Sequence, residues 1–94
     1  MMSHYAYMLL CSDDTIYTGY TTDLKRRVRE HNAGEGAAYT RGRTPVVLIY
    51  WEEFDTRSGA QKREYALKQL SRSEKVALTH PGENHQEDGV RVPE

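Results

Sequence analysis

Five side chains in this sequence could do chemistry together. Tyr7 and Tyr17 can each give or take a proton, Arg27 can fork hydrogen bonds onto a phosphate, His31 can titrate near neutral pH, and Glu64 can hold a divalent cation. The first four lie between Tyr5-Ala6-Tyr7 and His31, and Glu64 comes from a later segment. The chemistry such a set could perform is cleavage of a phosphodiester.

The elements that must position these groups can be read from pattern. Tyr5 to Cys11 is short, aromatic and apolar on both faces, which predicts a strand covered on both sides. Ser12-Asp13-Asp14-Thr15 is turn chemistry, and Ile16 to Tyr20 is the second strand of a hairpin. Tyr7 and Tyr17 share a face only if the loop has odd length or a bulge. A four-residue loop would pair Tyr7 with Tyr20 and turn Tyr17 away. A three-residue loop, Asp13 to Thr15, pairs Cys11 with Tyr17 and Leu9 with Gly19, and needs a left-handed residue that Asp14 tolerates. An odd loop or bulge near Asp14 is the expectation.

Thr21-Thr22-Asp23 offers a helix N-cap, and the helix should run to about Ala33 with Gly34 as its C-cap. Leu24, Val28 and His31 fall at i, i+4 and i+7 on one stripe, bordered by Arg27. Gly34 to Arg43 is a glycine-rich loop containing Tyr39-Thr40-Arg41-Gly42-Arg43, whose N–H groups and arginines could cradle phosphate oxygens. Val46 to Phe54 is nearly continuously apolar at its start and predicts the central strand. A second helix, capped by Thr56 or Ser58, should run to about Leu70 and place Ala60, Glu64 and Leu67 on one face. A carboxylate on that stripe needs a partner or a metal; Lys68, four residues on, is the plainest partner. Ser71 to Glu74 has the form of a capping box, so a short third helix should follow and end near His80-Pro81-Gly82.

Composition narrows the class. The chain of 94 residues, 37% apolar and 29% charged, fits one soluble domain with a modest core. The expected organisation is a domain over 1–82 and a disordered acidic tail over 83–94. No apolar run suits a membrane span and no signal peptide is visible. A single cysteine, Cys11, excludes an intramolecular disulfide, so the expected compartment is the cytoplasm. His4, His80 and His85 show no zinc spacing. The net charge of −1 excludes a strongly basic protein, but six basic residues stand against three acidic ones between Asp23 and Arg43. Lys25, Arg26, Tyr39, Thr40, Arg41 and Arg43 are therefore the candidate nucleic-acid contacts.

Taken together, these residues resemble the GIY-YIG nuclease domain. Tyr5-Ala6-Tyr7 stands where that family has Gly-Ile-Tyr, and Tyr17-Thr18-Gly19 where it has Tyr-Ile-Gly. Arg27 follows Tyr17 by ten residues, His31 lies four further on, and Glu64 matches the glutamate of the second helix. The loop string is similar to that of small stand-alone bacterial members; relatives fused to other domains include the excision-repair subunit UvrC and homing endonucleases. The resemblance implies an α/β fold, a small, mainly antiparallel three-stranded sheet flanked by helices. It implies DNA as the partner and metal-assisted phosphodiester hydrolysis with Mg²⁺ or Mn²⁺ held by Glu64. Arg27 would hold the phosphate, and Tyr7 or Tyr17, with His31 nearby, would activate water. DNA repair or nucleic-acid processing is the implied setting. Lys75 and Val76 stand where the family carries an asparagine, and Ala38 where the stand-alone branch often has lysine. These departures keep a second expectation open: a weakly catalytic or inactive module that binds nucleic acid or docks to a protein partner, which could itself supply specificity.

Overall fold

The structure, a computed structural model, describes residues 2–79. Three strands, β1 (His4–Leu10), β2 (Ile16–Thr21) and β3 (Val47–Phe54), form an antiparallel sheet in the order β2-β1-β3. Three helices complete the fold: α1 (Leu24–Asn32), α2 (Arg57–Lys68) and α3 (Arg72–Leu78). This is the expected α/β architecture, a small antiparallel sheet flanked by helices.

The central strand is β1, not the segment beginning at Val46 as its apolar run suggested. The reason lies in both strands. Ala6 and Met8 on one face of β1, and Tyr7 and Leu9 on the other, are all 1% exposed or less, as only a strand covered on both sides requires. In β3 the pairing with β1 shifts between Met8 and Leu9, so Leu48 lies opposite Leu9 while Tyr50 lies opposite Met8. The shift switches which alternate residues face the core. Apolar side chains are therefore needed at positions of both parities, although β3 is an edge strand.

One sheet face packs Leu24 and Val28 of α1 against Tyr7, Leu9, Cys11, Val46 and Leu48, with Tyr5, Tyr17 and Trp51 at the margin. The opposite face carries Ala6 and Met8, and α2 packs against all three strands with Ala60 and Leu67 fully buried. Removing a residue such as Leu9 or Leu67 from this modest core would cost about 2–5 kcal/mol. The helix starts follow the sequence: Asp23 caps α1, Thr56 rather than Ser58 caps α2, and Ser71 with Glu74 forms the expected capping box on α3. The first helix stops one residue short of the expectation, with Ala33 as C-cap and Gly34 following at φ +81°. The expected end of α3 near His80-Pro81-Gly82 and the acidic tail over 83–94 lie outside the described residues. Among the described residues no helix is long and apolar enough to cross a membrane.

The hairpin turn decides which tyrosines meet. Asp14 N–H donates to the Cys11 carbonyl at 3.0 Å, Cys11 N–H donates to Thr15 at 2.9 Å, and Asp14 sits at φ +70°. The loop is thus odd and the left-handed residue is Asp14, as expected. It spans Ser12 to Asp14, one residue earlier than proposed, so the register differs: Tyr17 lies opposite Leu9, and Gly19 opposite Tyr7. The anchor for the earlier turn is Asp13, whose Oδ1 accepts from both the N–H and the hydroxyl of Thr15 at 3.2 and 2.6 Å. Parity is preserved, and Tyr7 and Tyr17 share the α1 face.

Because a β-branched residue tolerates positive φ poorly, Asp14→Val should lower stability by about 1–2 kcal/mol. Asp14→Gly should equal or exceed the parent. Urea unfolding midpoints measured on the three proteins check this.

Candidate active site

Tyr7 projects from the middle of the central strand, and the residue opposite it on β2 is Gly19. A Cβ at Gly19 would stand 2.6 Å from the Tyr7 hydroxyl and 3.0 Å from the Tyr17 ring. The absence of a side chain there lets the Tyr7 phenol lie across the strand, with Tyr17 tilted beside it at a ring separation of 6.3 Å. The glycine of Tyr17-Thr18-Gly19 is thus a packing requirement of the tyrosine it faces.

Helix α1 brings the next two groups. Leu24 and Val28 fix its apolar side on the sheet, which turns Arg27 and His31 toward Tyr7. His31 is fully buried. Its Nε2 lies 2.9 Å from the Tyr7 hydroxyl and its Nδ1 lies 2.7 Å from Thr40 Oγ1. The Thr40 hydroxyl in turn donates to the Ala37 carbonyl at 3.2 Å. A carbonyl can only accept, so that bond uses the single hydroxyl hydrogen of Thr40. A Thr40 hydroxyl so engaged can accept from an Nδ1–H, in which case Nε2 accepts from the Tyr7 O–H. The result is one buried line of hydrogen bonds running Tyr7, His31, Thr40 and the Ala37 carbonyl.

The loop after α1 closes this line. Gly34 N–H donates to His31 and Glu35 N–H to Glu30, which reverses the chain at the helix end and returns it over the histidine. Gly36 then lies flat on the imidazole: a Cβ there would be 2.4 Å from Nδ1 and 2.6 Å from Cγ. The Gly36 carbonyl accepts from Arg27 Nη2 at 3.1 Å, while Arg27 Nη1 meets Glu30 at 2.9 Å. One glycine thereby seats the histidine and aims the guanidinium. Gly36, and Thr40 as a partner of the histidine, escaped the sequence reading. The only available signal was that a histidine on an apolar stripe needs two partners for its ring nitrogens.

Electrostatics keep the line neutral. Burial pushes the Tyr7 phenol well above the ordinary tyrosine value; nearby Arg27 pulls the other way, and Tyr17 and Glu64 add to the rise. Burial, then the Arg27 charge, lowers His31 from 6.5 to about 4, with Glu30 opposing. Arg27 remains a cation: burial works against it, but Glu30 and Tyr7 more than offset that.

Glu64 sits on the buried stripe of α2 between Ala60 and Leu67, with its side chain 20% exposed. Its Oε2 meets Lys68 at 3.0 Å, so the i, i+4 partner weighed from the sequence is present. Its charge nevertheless reaches Tyr7. Among the described residues no group of three or more His, Cys, Asp or Glu side chains could enclose a metal ion. A single carboxylate suits Mg²⁺ or Mn²⁺ of the kind that takes its remaining oxygens from water and a substrate phosphate. The donor set fits such an ion and does not fit a closed structural metal.

The expected nucleic-acid contacts separate into two groups. Lys25, Arg26 and Arg41 are exposed, Arg26 beside Glu30 at 3.5 Å, and Tyr39 is 41% exposed. Thr40, by contrast, is fully buried and committed to His31 and Ala37, because the loop folds inward at that point. Arg43 is pinned by Asp13 at 2.9 Å and the Tyr39 carbonyl at 2.6 Å, with its guanidinium over the Tyr39 ring. Tyr39 leans on Tyr17, and Tyr17 on His31, at ring separations of 5.7 and 5.1 Å.

Tyr7, Arg27 and His31 gather on one face of the sheet, and Glu64 stands on the helix that packs against the other. The family model described as the GIY-YIG catalytic domain matches residues 3–77, and the chain belongs to that family. It is 61% identical over 79 residues to a UPF0213 protein of Haloquadratum walsbyi, covering 84% of this chain and 89% of that protein. It is 64% identical to one of Halobacterium salinarum, covering 80% and 97%. Among solved structures it resembles the solution NMR structure of a protein from E. faecalis, with 44% identity, a TM-score of 0.56 and coverage of 93% and 97%. A second NMR structure, of a UPF0213 protein from Bacillus halodurans, shares 48% identity at a TM-score of 0.53 and covers 82% of each chain.

Two outcomes follow from this packing. Gly36→Ala should destabilise by about 1–3 kcal/mol relative to the parent, since the new methyl must displace a buried ring; thermal melts of the two proteins check this. His31 binds its proton less readily folded than unfolded. Stability should therefore be fully present above about pH 6.5 and fall as pH drops toward 4, by up to about 1.4 kcal/mol per pH unit. His31→Gln should flatten that part of the stability–pH curve.

Proposed function

We propose that this protein is a metal-dependent DNA endonuclease that recognises structure rather than sequence, acting in the cytoplasm in DNA repair or nucleic-acid processing. The observation that carries this reading is the Tyr7–His31 hydrogen bond with Arg27 beside it. A buried phenol that donates to a neutral imidazole can pass a proton on without ever existing as a free phenolate. Water attacking phosphorus would give its proton to the Tyr7 oxygen as the Tyr7 proton moves to His31 Nε2. The new P–O bond forms, the bond to the leaving oxygen breaks, and that oxygen takes a proton from solvent. Between Tyr7 and Tyr17, the hydrogen bond to His31 favours Tyr7 as the proton acceptor. Tyr17 packs against both rings.

Arg27 is held at rest by Glu30 and Gly36, and its fork suits a phosphate that would compete for Glu30's place. Glu64 is the residue to hold a Mg²⁺ or Mn²⁺ ion. The chemistry that ion supplies when bound is neutralisation of charge on the leaving oxygen. Lys25, Arg26, Arg41 and the Tyr39–Arg43 surface would hold the DNA backbone weakly, in keeping with the modest charge, and a protein partner would supply further specificity. The second reading, a binding module without activity, draws on the Glu64–Lys68 pair and on Lys75 and Val76 in place of the family's asparagine.

A cleavage assay on single-stranded, duplex and branched DNA with Mg²⁺ or Mn²⁺ separates the two. The expected result is cleavage that Glu64→Gln abolishes and Lys68→Ala does not. Arg27→Lys should lose about a hundredfold or more in rate, because an ammonium cannot replace the fork. Lys25→Ala and Arg26→Ala should mainly weaken binding and reduce its salt dependence. The pH profile of kcat/KM should stay level down to about pH 5 and fall below it, following His31 near 4 rather than near 6.5. Binding with no cleavage under any of these conditions would select the module.

A further inference from the structure

We infer that Thr40 is a positioning residue that fixes the tautomer of His31, so that the lone pair of Nε2 always faces the Tyr7 hydroxyl. The inference rests on the proposed proton transfer for its catalytic meaning, but on hydrogen-bond geometry alone for its existence. A buried imidazole has two neutral forms. Only the form protonated at Nδ1 can accept from Tyr7, and the form protonated at Nε2 would point a hydrogen at the phenol instead. Thr40 chooses between them. Its own hydrogen is taken by the Ala37 carbonyl at 3.2 Å, so toward His31 it can only accept, at 2.7 Å. The Nε2 form would require the Thr40 hydroxyl to give up the Ala37 carbonyl and turn its hydrogen to Nδ1.

Among the described residues the structure gives Nδ1 one hydrogen-bond partner, Thr40. Both His31 and Thr40 are fully buried, so water does not reach the contact. Gly36 lies against the Nδ1 side of the ring, and its carbonyl is used by Arg27. The Tyr17 ring stands beside the imidazole at 5.1 Å and offers no hydrogen bond there. Arg27 and Glu30 act on the ring through charge, and the hydrogen bonds shown for the Arg27 side chain go to Glu30 and Gly36. Tautomer control therefore falls to a loop residue nine positions along the chain from the histidine.

The test reads the tautomer and the rate separately. Nitrogen-15 NMR of the imidazole in the whole protein, without DNA or metal, should show His31 protonated at Nδ1. Thr40→Val keeps the shape and removes the acceptor, and should move the ring to the Nε2-protonated form or to a mixture. Thr40→Ser should restore the Nδ1 form. In the cleavage assay Thr40→Val should lower kcat on the order of a hundredfold, the low end of positioned acid–base catalysis, with KM for DNA unchanged and Thr40→Ser close to the parent. A parent ring protonated at Nε2 overturns the inference, even if Thr40→Val does not fold. So does a Thr40→Val protein that keeps the Nδ1 form, whatever its rate. A parent protein that shows the Nδ1 form but cuts no DNA would refute the nuclease reading and leave the tautomer assignment standing.

Discussion

The hydrogen bond between Tyr7 and His31 is the contact on which the remaining geometry depends. Neither group can be buried alone: an unpaired phenol or imidazole in a dry core costs on the order of 1–3 kcal/mol. The tyrosine needs Gly19 opposite it to lie flat, and the histidine needs Gly36 to admit its ring. The second imidazole nitrogen needs Thr40, and Thr40 needs Ala37. Two glycines, a threonine and a backbone carbonyl are thus drawn into place by one polar pair. The loop from Gly34 to Arg43 is in this sense part of the core, despite its polar, glycine-rich composition.

Charge is arranged around this neutral line, not along it. His31 stays neutral and Tyr7 stays protonated, because each would lose hydration on ionising. Arg27 and Glu64 are each ion-paired with a more exposed partner, Glu30 and Lys68. Such exposed pairs contribute little to stability and are easily exchanged. The division suits the function proposed above, in which a phosphate and a metal ion would enter from solvent without disturbing the interior.

Much of this was legible in the sequence, and the limits have physical causes. Helix periodicity placed Arg27 beside His31 and Glu64 between Ala60 and Leu67, since side-chain direction follows directly from spacing. Parity arguments put Tyr7 and Tyr17 on one face, and they survived a turn displaced by one residue because the displacement moved the register by two. The choice between Asp13 to Thr15 and Ser12 to Asp14 was not legible, since it turns on which neighbour Asp13 binds. The central strand was misassigned because a shift in β3 imitates the pattern of a strand covered on both faces. Gly36 was invisible for a different reason. Its backbone needs no left-handed angle; only the ring that it touches, five residues away in sequence and stacked on it in space, explains it.

The sheet order carries a consequence for how the chain assembles. The middle strand is the first to be synthesised. It can pair with β2 across a tight turn, but its other edge waits for β3, which arrives only after α1 and the whole loop. Pairing of Leu10 with Val47 closes a long segment, and such non-local contacts form late and slowly. The Asn32 amide then ties the helix end to both backbone groups of Val46, at 2.7 and 3.2 Å. The loop holding Gly36 and Thr40 lies wholly inside the segment that this step closes. A nascent chain that has made only its hairpin and first helix holds Tyr7, Tyr17, Arg27 and His31 but lacks the enclosure that joins them. The buried line from Tyr7 to Thr40 is therefore complete only once β3 has paired.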